Sequence, residues 1–210
     1  MLTQAILPGT TVSGQQTTLG VMGGGQLGRM FVHAAQRMGY FTAVLDPDPA
    51  SPAGLVSHFH VQADYLDEQA LAQMMQRCAA ITTEFENVPS GAMFTLGAHR
   101  PVAPSAQSLA IAQDRIREKA HFKACGVPTA PYAVISDDRE LADVGDGLLP
   151  GILKTARLGY DGKGQVRVTT RAELAAAWEG LRQVPCVLEK MLPLALECSV
   201  LVARGADGIC

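Results

Sequence analysis

Apolar residues arrive in two rhythms along the first half of this chain. Short apolar runs, "TLGVM" (18–22), "FTAVLD" (41–46), "SHFHVQA" (57–63) and "AAITTEF" (79–85), read as strands, the third being the weakest. Between them apolar positions recur every three or four residues. Leu27, Met30, Phe31, Ala34, Ala35 and Met38 predict a helix that Gly39 can end, and Leu71, Met74, Met75 and Cys78 predict another over "DEQALAQMMQRC" (67–78). Strands separated by helices imply parallel pairing with right-handed crossovers, so the fold expected here is an open, doubly wound α/β sheet.

The rhythm changes around "RPVAPSAQS" (100–108). Ser105 is placed to cap a short helix, and "DRIREKAHFKACG" (114–126) predicts a second, ended by Gly126. "VPTAPY" (127–132) then forces an extended chain, and a domain boundary is expected near it. Beyond it come the strands "YAVIS", "GILKTA", "GQVRVTT", "CVLEKM" and "ALECSVLVA" (195–203), with one helix, "RAELAAAWEGL", begun by Thr170. Strands and hairpins outnumber helices there, which predicts an α+β part. The first residues, "MLTQAILPGTTVSGQQTT", are rich in Thr, Gln, Gly and Pro and predict a flexible extension. The expected division is therefore 1–18 as extension, 19–104 as a domain of dinucleotide-fold type, and 105–210 as the second part, with linker helices in 105–126.

Composition narrows the function classes. With 48% apolar and 18% charged residues in 210, the chain can bury a real core. The net charge of −3, without a Lys/Arg cluster along any expected helix, argues against a nucleic-acid partner. No apolar stretch is long enough for a membrane span, and the N-terminus lacks the basic start and apolar segment of a signal peptide. The five cysteines, Cys78, Cys125, Cys186, Cys198 and Cys210, are scattered without a C-x-x-C pair. That spacing argues against a zinc site or a disulfide framework and for buried, reduced thiols in a cytoplasmic protein.

Gly23, Gly25 and Gly28 in "LGVMGGGQLG" fit G-x-G-x-x-G directly after a strand. Backbone N–H groups at the helix start that follows can hold an anion. Asp46 ends the second strand, where a dinucleotide fold places its ribose-binding acid, but "LDPDPASPA" also makes it a candidate turn residue. A tight turn needing glycine for backbone reasons explains the same residues. "TTEFENVP" lies at the carboxyl end of the fourth strand, where open α/β sheets bind ligands. Glu84 and Glu86, two apart, share a face if the strand continues through them, and the Asn87 amide follows. This set suits a polar substrate with hydroxyls or an amine, and NAD chemistry does not call for it.

A second glycine-rich stretch reads "GILKTARLGYDGKGQ" (151–165). Lys154 inside an apolar strand is costly to bury unless it meets an anion. Gly159, Gly162 and Gly164 around Lys163 can fold closely over phosphates, although neither the Walker A nor the kinase glycine-loop spacing is present. In "VLEKMLPLALECSV", the backbone of Glu189–Leu192 can pair with an adenine edge and Glu197 with ribose hydroxyls.

Taken together, "GGGQLGRM", "TTEFENVP", "DRIREKAHF", "GVPTAPY", "LKTARLGYDGKGQ" and "LEKMLPLALECSV" resemble the ATP-grasp enzymes, most specifically the N5-carboxyaminoimidazole ribonucleotide synthetase family of ATP-dependent carboxylases in purine biosynthesis. The likeness runs over residues 19–207 in family order. It implies a Rossmann-like pre-ATP-grasp domain without NAD, followed by an ATP-grasp part. It implies that ATP and Mg2+ are used, that aminoimidazole ribonucleotide and bicarbonate are the substrates, and that the N5-carbamate forms through carboxyphosphate. Arg115 and Lys154 would approach the ATP phosphates. Gly159, Tyr160, Asp161, Gly162, Lys163, Gly164 and Gln165 would form the phosphate-covering loop. Glu189, Lys190, Met191 and Leu192 would contact adenine, and Glu197 the ribose. Gln26, Leu27, Glu84, Asn87, Tyr160 and Asp161 would face the substrate. A cytoplasmic homodimer is the family expectation.

Family members continue past this point, so the chain resembles a truncated member, and residues to ligate Mg2+ are not found in it. "ALECSVLVA" without following strands is expected to expose an apolar edge and to lower solubility. Three other readings remain at this stage: a non-catalytic ATP-binding fragment, another ATP-grasp ligase such as a formate-using purine enzyme or a biotin-dependent carboxylase, and a NAD(P)-dependent oxidoreductase.

Overall fold

The computed structural model describes residues 5–12, 14–159 and 163–205. The chain forms two compact units, Met1–Gly126 and Val127–Cys210.

The first unit opens with a small antiparallel hairpin, β1 (Thr11–Val12) and β2 (Gln15–Gln16). Composition predicted a loose extension here, but the segment is tied down. The Tyr40 phenol donates to the Ile6 carbonyl at 2.8 Å, the Thr17 hydroxyl donates to the Thr10 carbonyl at 2.8 Å, and Thr17 and Thr18 are buried. Polar residues made the segment look solvated, yet their hydroxyls satisfy its backbone.

The sheet of this unit runs in the order β5–β4–β3–β6, all parallel, from β3 (Thr18–Met22), β4 (Phe41–Leu45), β5 (Phe59–Val61) and β6 (Ala80–Thr83). Its helices cover both faces, as a doubly wound sheet requires. Side chains alternate along each strand. Val21 and Val44 therefore pack with Val32 of α1 (Gln26–Arg37) and with Ala53, while Met22, Ala43 and Leu45 pack with Leu71 and Met74 of α2 (Glu68–Arg77) and Met93 and Leu96 of α3 (Ser90–Gly97). Each large side chain fully buried in this way contributes about 1.5–3 kcal/mol.

α1 lies where expected but turns inward only part of the expected face, Ala35 and in part Phe31. Gly28, Val32 and Ala35 are buried, whereas Leu27, Met30 and Met38 are 62%, 66% and 60% exposed. Gly28 decides this: a methyl there would lie 2.8 Å from the Gly23 carbonyl oxygen, so the helix approaches the turn through its smallest residue. α4 (Ala106–Ala112) is capped by Ser105 and α5 (Arg115–Ala124) by Asp114, each accepting backbone N–H groups of the first turn. Both helices cluster with the first unit, and the chain parts into its second unit after Gly126.

The second unit holds an antiparallel sheet in the order β7–β10–β8–β9, from β7 (Tyr132–Ile135), β8 (Gly151–Thr155), β9 (Gln165–Val168) and β10 (Cys186–Lys190). A short helix, α6 (Asp138–Ala142), follows β7, and α7 (Arg171–Gly180), capped by Thr170, follows β9. Leu174 and Trp178 of α7 pack on Ile135, Leu153, Val168, Cys186 and Leu188. Alternation then sends Lys154, Val187 and Glu189 to the other face.

Two expectations fail here. "ALECSVLVA" is not a strand: residues 191–205 carry no regular structure and are exposed, with Leu196 at 81% and Leu201 at 95%. A strand exists only with a ladder partner, and this segment has none among the described residues. Nor are all thiols buried. Cys78 and Cys186 are, but Cys125 and Cys198 are exposed, and Cys210 lies outside the described residues.

Candidate functional site

The carboxyl ends of the four parallel strands converge on the glycine turn of the first unit. Gly23, with φ of +101°, turns the chain out of β3 in a conformation that side chains rarely adopt. Its successors present N–H groups at the start of α1, as the sequence implies. Their partner is a side chain of this unit. Glu84 Oε1 accepts the Gly25 N–H at 2.6 Å, and Oε2 accepts the Gly28 N–H at 2.5 Å. A carboxylate of the chain itself thus fills the helix N-terminus, where negative charge is favoured.

Asp46 is engaged in the same way. Its Oδ2 accepts the Gly24 N–H and the Tyr65 phenol, each at 2.7 Å, and its Oδ1 accepts the Asp48 N–H at 2.9 Å. Burial, and then the hydrogen bond to Asp46, push the Tyr65 phenol well above its ordinary pKa. The N–H groups at the helix start, which a dinucleotide pyrophosphate would need, are committed to the Glu84 carboxylate. These contacts do not favour the oxidoreductase reading.

Around these groups lies an open crevice of about 260 Å³, lined by the glycine turn with Asp46, Ser51, Tyr65, Glu84 and Phe85. Of the substrate-side residues named from sequence, Glu84 lines it and Gln26, Leu27 and Asn87 do not, while Tyr160 and Asp161 lie outside the described residues. β6 ends at Thr83, so Glu84 and Glu86 do not share a strand face. Glu84 folds back onto the turn, while Glu86 is exposed and accepts the Asn87 amide at 3.2 Å. Gln26 and Leu27 are exposed on the first turn of α1. Tyr65 and Ser51 were not singled out in sequence. Their signal was position alone: each follows a strand at its carboxyl end.

In the second unit Lys154 meets the anion that its apolar strand demanded. The register sets Lys154 opposite Val187 and Glu189 opposite Ile152, so the two polar residues lie on one face of neighbouring strands. Lys154 Nζ donates to Glu189 Oε2 at 3.0 Å, with side chains only 20% and 13% exposed. β8 and β9 form a hairpin in which Lys154 pairs with Gln165, and the Thr155 N–H donates to the Gly164 carbonyl at 2.8 Å. The second glycine stretch is thus the loop of this hairpin. Gly159 precedes and Lys163 follows its central residues, Tyr160, Asp161 and Gly162, which lie outside the described residues.

After β10, the Lys190 N–H donates to the Pro131 carbonyl at 2.8 Å and the Met191 N–H to the Pro150 carbonyl at 3.0 Å. Lys190, Met191, Leu192 and Glu197 are exposed. Arg115 sits at the first position of α5 in the first unit and is half-buried. Among the described residues no group of three or more His, Cys, Asp or Glu is arranged to hold a metal ion.

Comparison with known proteins bears on this geometry. The model of the ribonucleotide synthetase preATP-grasp domain matches residues 16–113, and that of the ATP-grasp domain matches residues 120–210. The N5-carboxyaminoimidazole ribonucleotide synthase of Pseudomonas aeruginosa is 41% identical over 191 residues, covering 90% of this chain and 53% of that protein. The chain belongs to the N5-carboxyaminoimidazole ribonucleotide synthase family. A crystal structure of the ADP complex of one such synthetase superposes with a TM-score of 0.83 at 35% identity, over 92% of this chain and 50% of that one. The Aspergillus clavatus synthase in complex with ADP and 5-aminoimidazole ribonucleotide superposes with a TM-score of 0.73 at 32% identity, over 83% of this chain and 46% of that one. The chain spans about half the length of the curated relatives it matches. The matched ranges agree with a preATP-grasp first unit and an ATP-grasp second unit.

Proposed function

We propose that this chain serves the ATP-dependent carboxylation of 5-aminoimidazole ribonucleotide by bicarbonate, through carboxyphosphate. The observation that carries the reading is the Lys154–Glu189 pair beside the glycine hairpin, on a fold whose relatives are crystallised with ADP. ATP, entering with Mg2+ as its counter-ion, lies against the β8–β9 hairpin and the end of β10. Lys154 exchanges one Glu189 oxygen for a phosphate oxygen, and Lys163 and Arg115 add positive charge to the phosphates. Gly159 to Gln165 cover them. The N–H groups of Lys190 and Met191 already serve Pro131 and Pro150, so an adenine edge is read through the carbonyl side of Glu189–Leu192. Glu197 takes ribose hydroxyls.

A bicarbonate oxygen attacks the γ-phosphorus, its bond to ADP breaks, and carboxyphosphate forms. The amine nitrogen of the ribonucleotide then bonds to the carboxyl carbon, the carbon–oxygen bond to phosphate breaks, and the amine loses a proton. No side chain need form a covalent intermediate. Positioning and charge stabilisation are the protein's part. The first unit receives the ribonucleotide, with Glu84 on the crevice and Gln26, Leu27, Asn87, Tyr160 and Asp161 as further contacts. A cytoplasmic homodimer accompanies this reading. Among the described residues no helix is long and apolar enough to cross a membrane.

Calorimetric titration of the full chain with Mg-ATP and with NAD tests the reading, with Lys154→Ala as control. Binding of Mg-ATP that weakens in the variant, and no binding of NAD, is the expected result. It licenses a bicarbonate-dependent ADP-release assay, in which formate fails to replace bicarbonate. Binding of NAD in place of ATP sinks the reading.

A further inference from the structure

Among the described residues, one buried side-chain oxygen has no hydrogen-bond partner, and it belongs to a residue of the first unit's crevice. Ser51 lines the crevice and is 2% exposed, and its Oγ makes no hydrogen bond. A methyl on Gly24 would lie 2.5 Å from that oxygen, so the hydroxyl rests against the glycine turn. Buried polar groups are nearly always paired, and an orphaned one marks a place where a partner is missing. A turn between staggered rotamers is the only motion a serine needs to reach one.

The neighbouring groups define that partner. Glu84 and Asp46 are held by backbone N–H groups, and the Tyr65 proton is committed to Asp46. Their carboxylate oxygens retain lone pairs and can only accept. Ser51 adds an uncommitted O–H. A phosphate would meet Asp46, Asp48 and Glu84 with like charge. An ammonium would satisfy the carboxylates but offers no lone pair to Ser51. A sugar hydroxyl does both, donating to a carboxylate and accepting from serine. Phe85, set edge-on to Tyr65 at 6.3 Å, supplies an apolar wall for ring carbons. A volume of about 260 Å³ suits one ring rather than a whole nucleotide.

We propose that this crevice is a sugar-hydroxyl subsite, in which Ser51 donates to a hydroxyl of the ligand and the Asp46 and Glu84 carboxylates accept from it. The proposal rests on the reading of the first unit as the substrate side. It assigns Ser51 as a ligand contact and separates the sugar from the phosphate of the same ligand.

The test titrates the full chain with 5-aminoimidazole ribonucleoside, which lacks the phosphate, and in parallel with inorganic phosphate, methylammonium and Mg-ATP. The nucleoside binds, and Ser51→Ala weakens it about tenfold. The melting temperature of the variant equals or exceeds that of the parent, because an unpartnered donor has been removed. A serine that serves only the fold would instead lower the melting temperature and leave nucleoside affinity unchanged, and that result overturns the proposal. So does displacement of the nucleoside by phosphate or methylammonium at equal concentration. Mg-ATP binding without nucleoside binding overturns the subsite and leaves the ATP-dependent reading in place. Nucleoside binding without Mg-ATP binding keeps the subsite and sinks that reading.

Discussion

Glu84 Oε1 and the Gly25 N–H meet at 2.6 Å across fifty-nine residues of sequence. This contact joins the end of β6 to the start of α1 and closes the glycine turn from within. Glu84→Ala removes both acceptors from the helix start and should cost about 1–2 kcal/mol of unfolding free energy in urea titration. Glu84→Gln keeps one acceptor and should cost less than half of that. Equal losses would say that charge alone, and not hydrogen bonding, holds the turn.

Lys154 and Glu189 should behave as a coupled pair. Each alanine variant leaves a charge half-stranded on the sheet face, while the double variant strands none. A double-mutant cycle should return about 1–2 kcal/mol of coupling. Additive losses would mean that the pair is screened and carries no stability.

Tyr65 makes stability fall at high pH. Its folded pKa is raised, chiefly by burial, so the folded state keeps a proton that the unfolded chain releases above about pH 10. The contribution is fully present below pH 10 and is lost as pH rises beyond it. Melting curves at pH 9 and 11 should show a smaller drop for Tyr65→Phe than for the parent. Below pH 9 that variant should cost about 0.5–1.5 kcal/mol for the lost bond to Asp46.

The thiols should divide by burial. Burial pushes the Cys78 thiol up to about 12 and the Cys186 thiol up to about 11. Thiolate is the reactive form, so these two should resist alkylation in the native state, while exposed Cys125 and Cys198 react. Peptide mapping after a short iodoacetamide pulse reads this directly. Native labelling of Cys78 would contradict its burial at the C-terminal end of α2.

Leu196, Val200, Leu201 and Val202 are 81%, 79%, 95% and 70% exposed on a segment with no ladder. Such an apolar, unpaired run is an invitation to pair with other chains. Leu196→Lys with Leu201→Lys should raise the soluble concentration without moving the melting temperature, as read by light scattering beside calorimetry. An unchanged scattering profile would place the aggregating surface elsewhere.

Periodicity by itself determined most strands and helices through residue 190, because local spacing and capping are local physics, but it did not show the β1–β2 hairpin, α3 or α6. Ser105 and Thr170 cap the helices they were expected to begin, and Asp114 caps α5. The motifs also carried the family, since "GYDGKGQ", the lysine upstream and the glutamates downstream need only be read in order. What the sequence did not carry was the partner of each polar group. Sequence leaves the glycine turn open between an anion cradle and a tight backbone turn, and asks of Lys154 only that it meet an anion. Both are met by carboxylates of this chain, Glu84 and Glu189, that lie fifty-six to fifty-nine and thirty-five residues away. Likewise α1 buries Gly28, Val32 and Ala35 rather than its larger apolar residues, because the distance from helix to sheet is set by the smallest side chain at the crossing. "ALECSVLVA" has the alternation of a strand and lacks a ladder. Local spacing decides what a segment can become. Charge partners, buried faces and strand pairing depend on residues far apart in sequence, and only the tertiary structure brings those together.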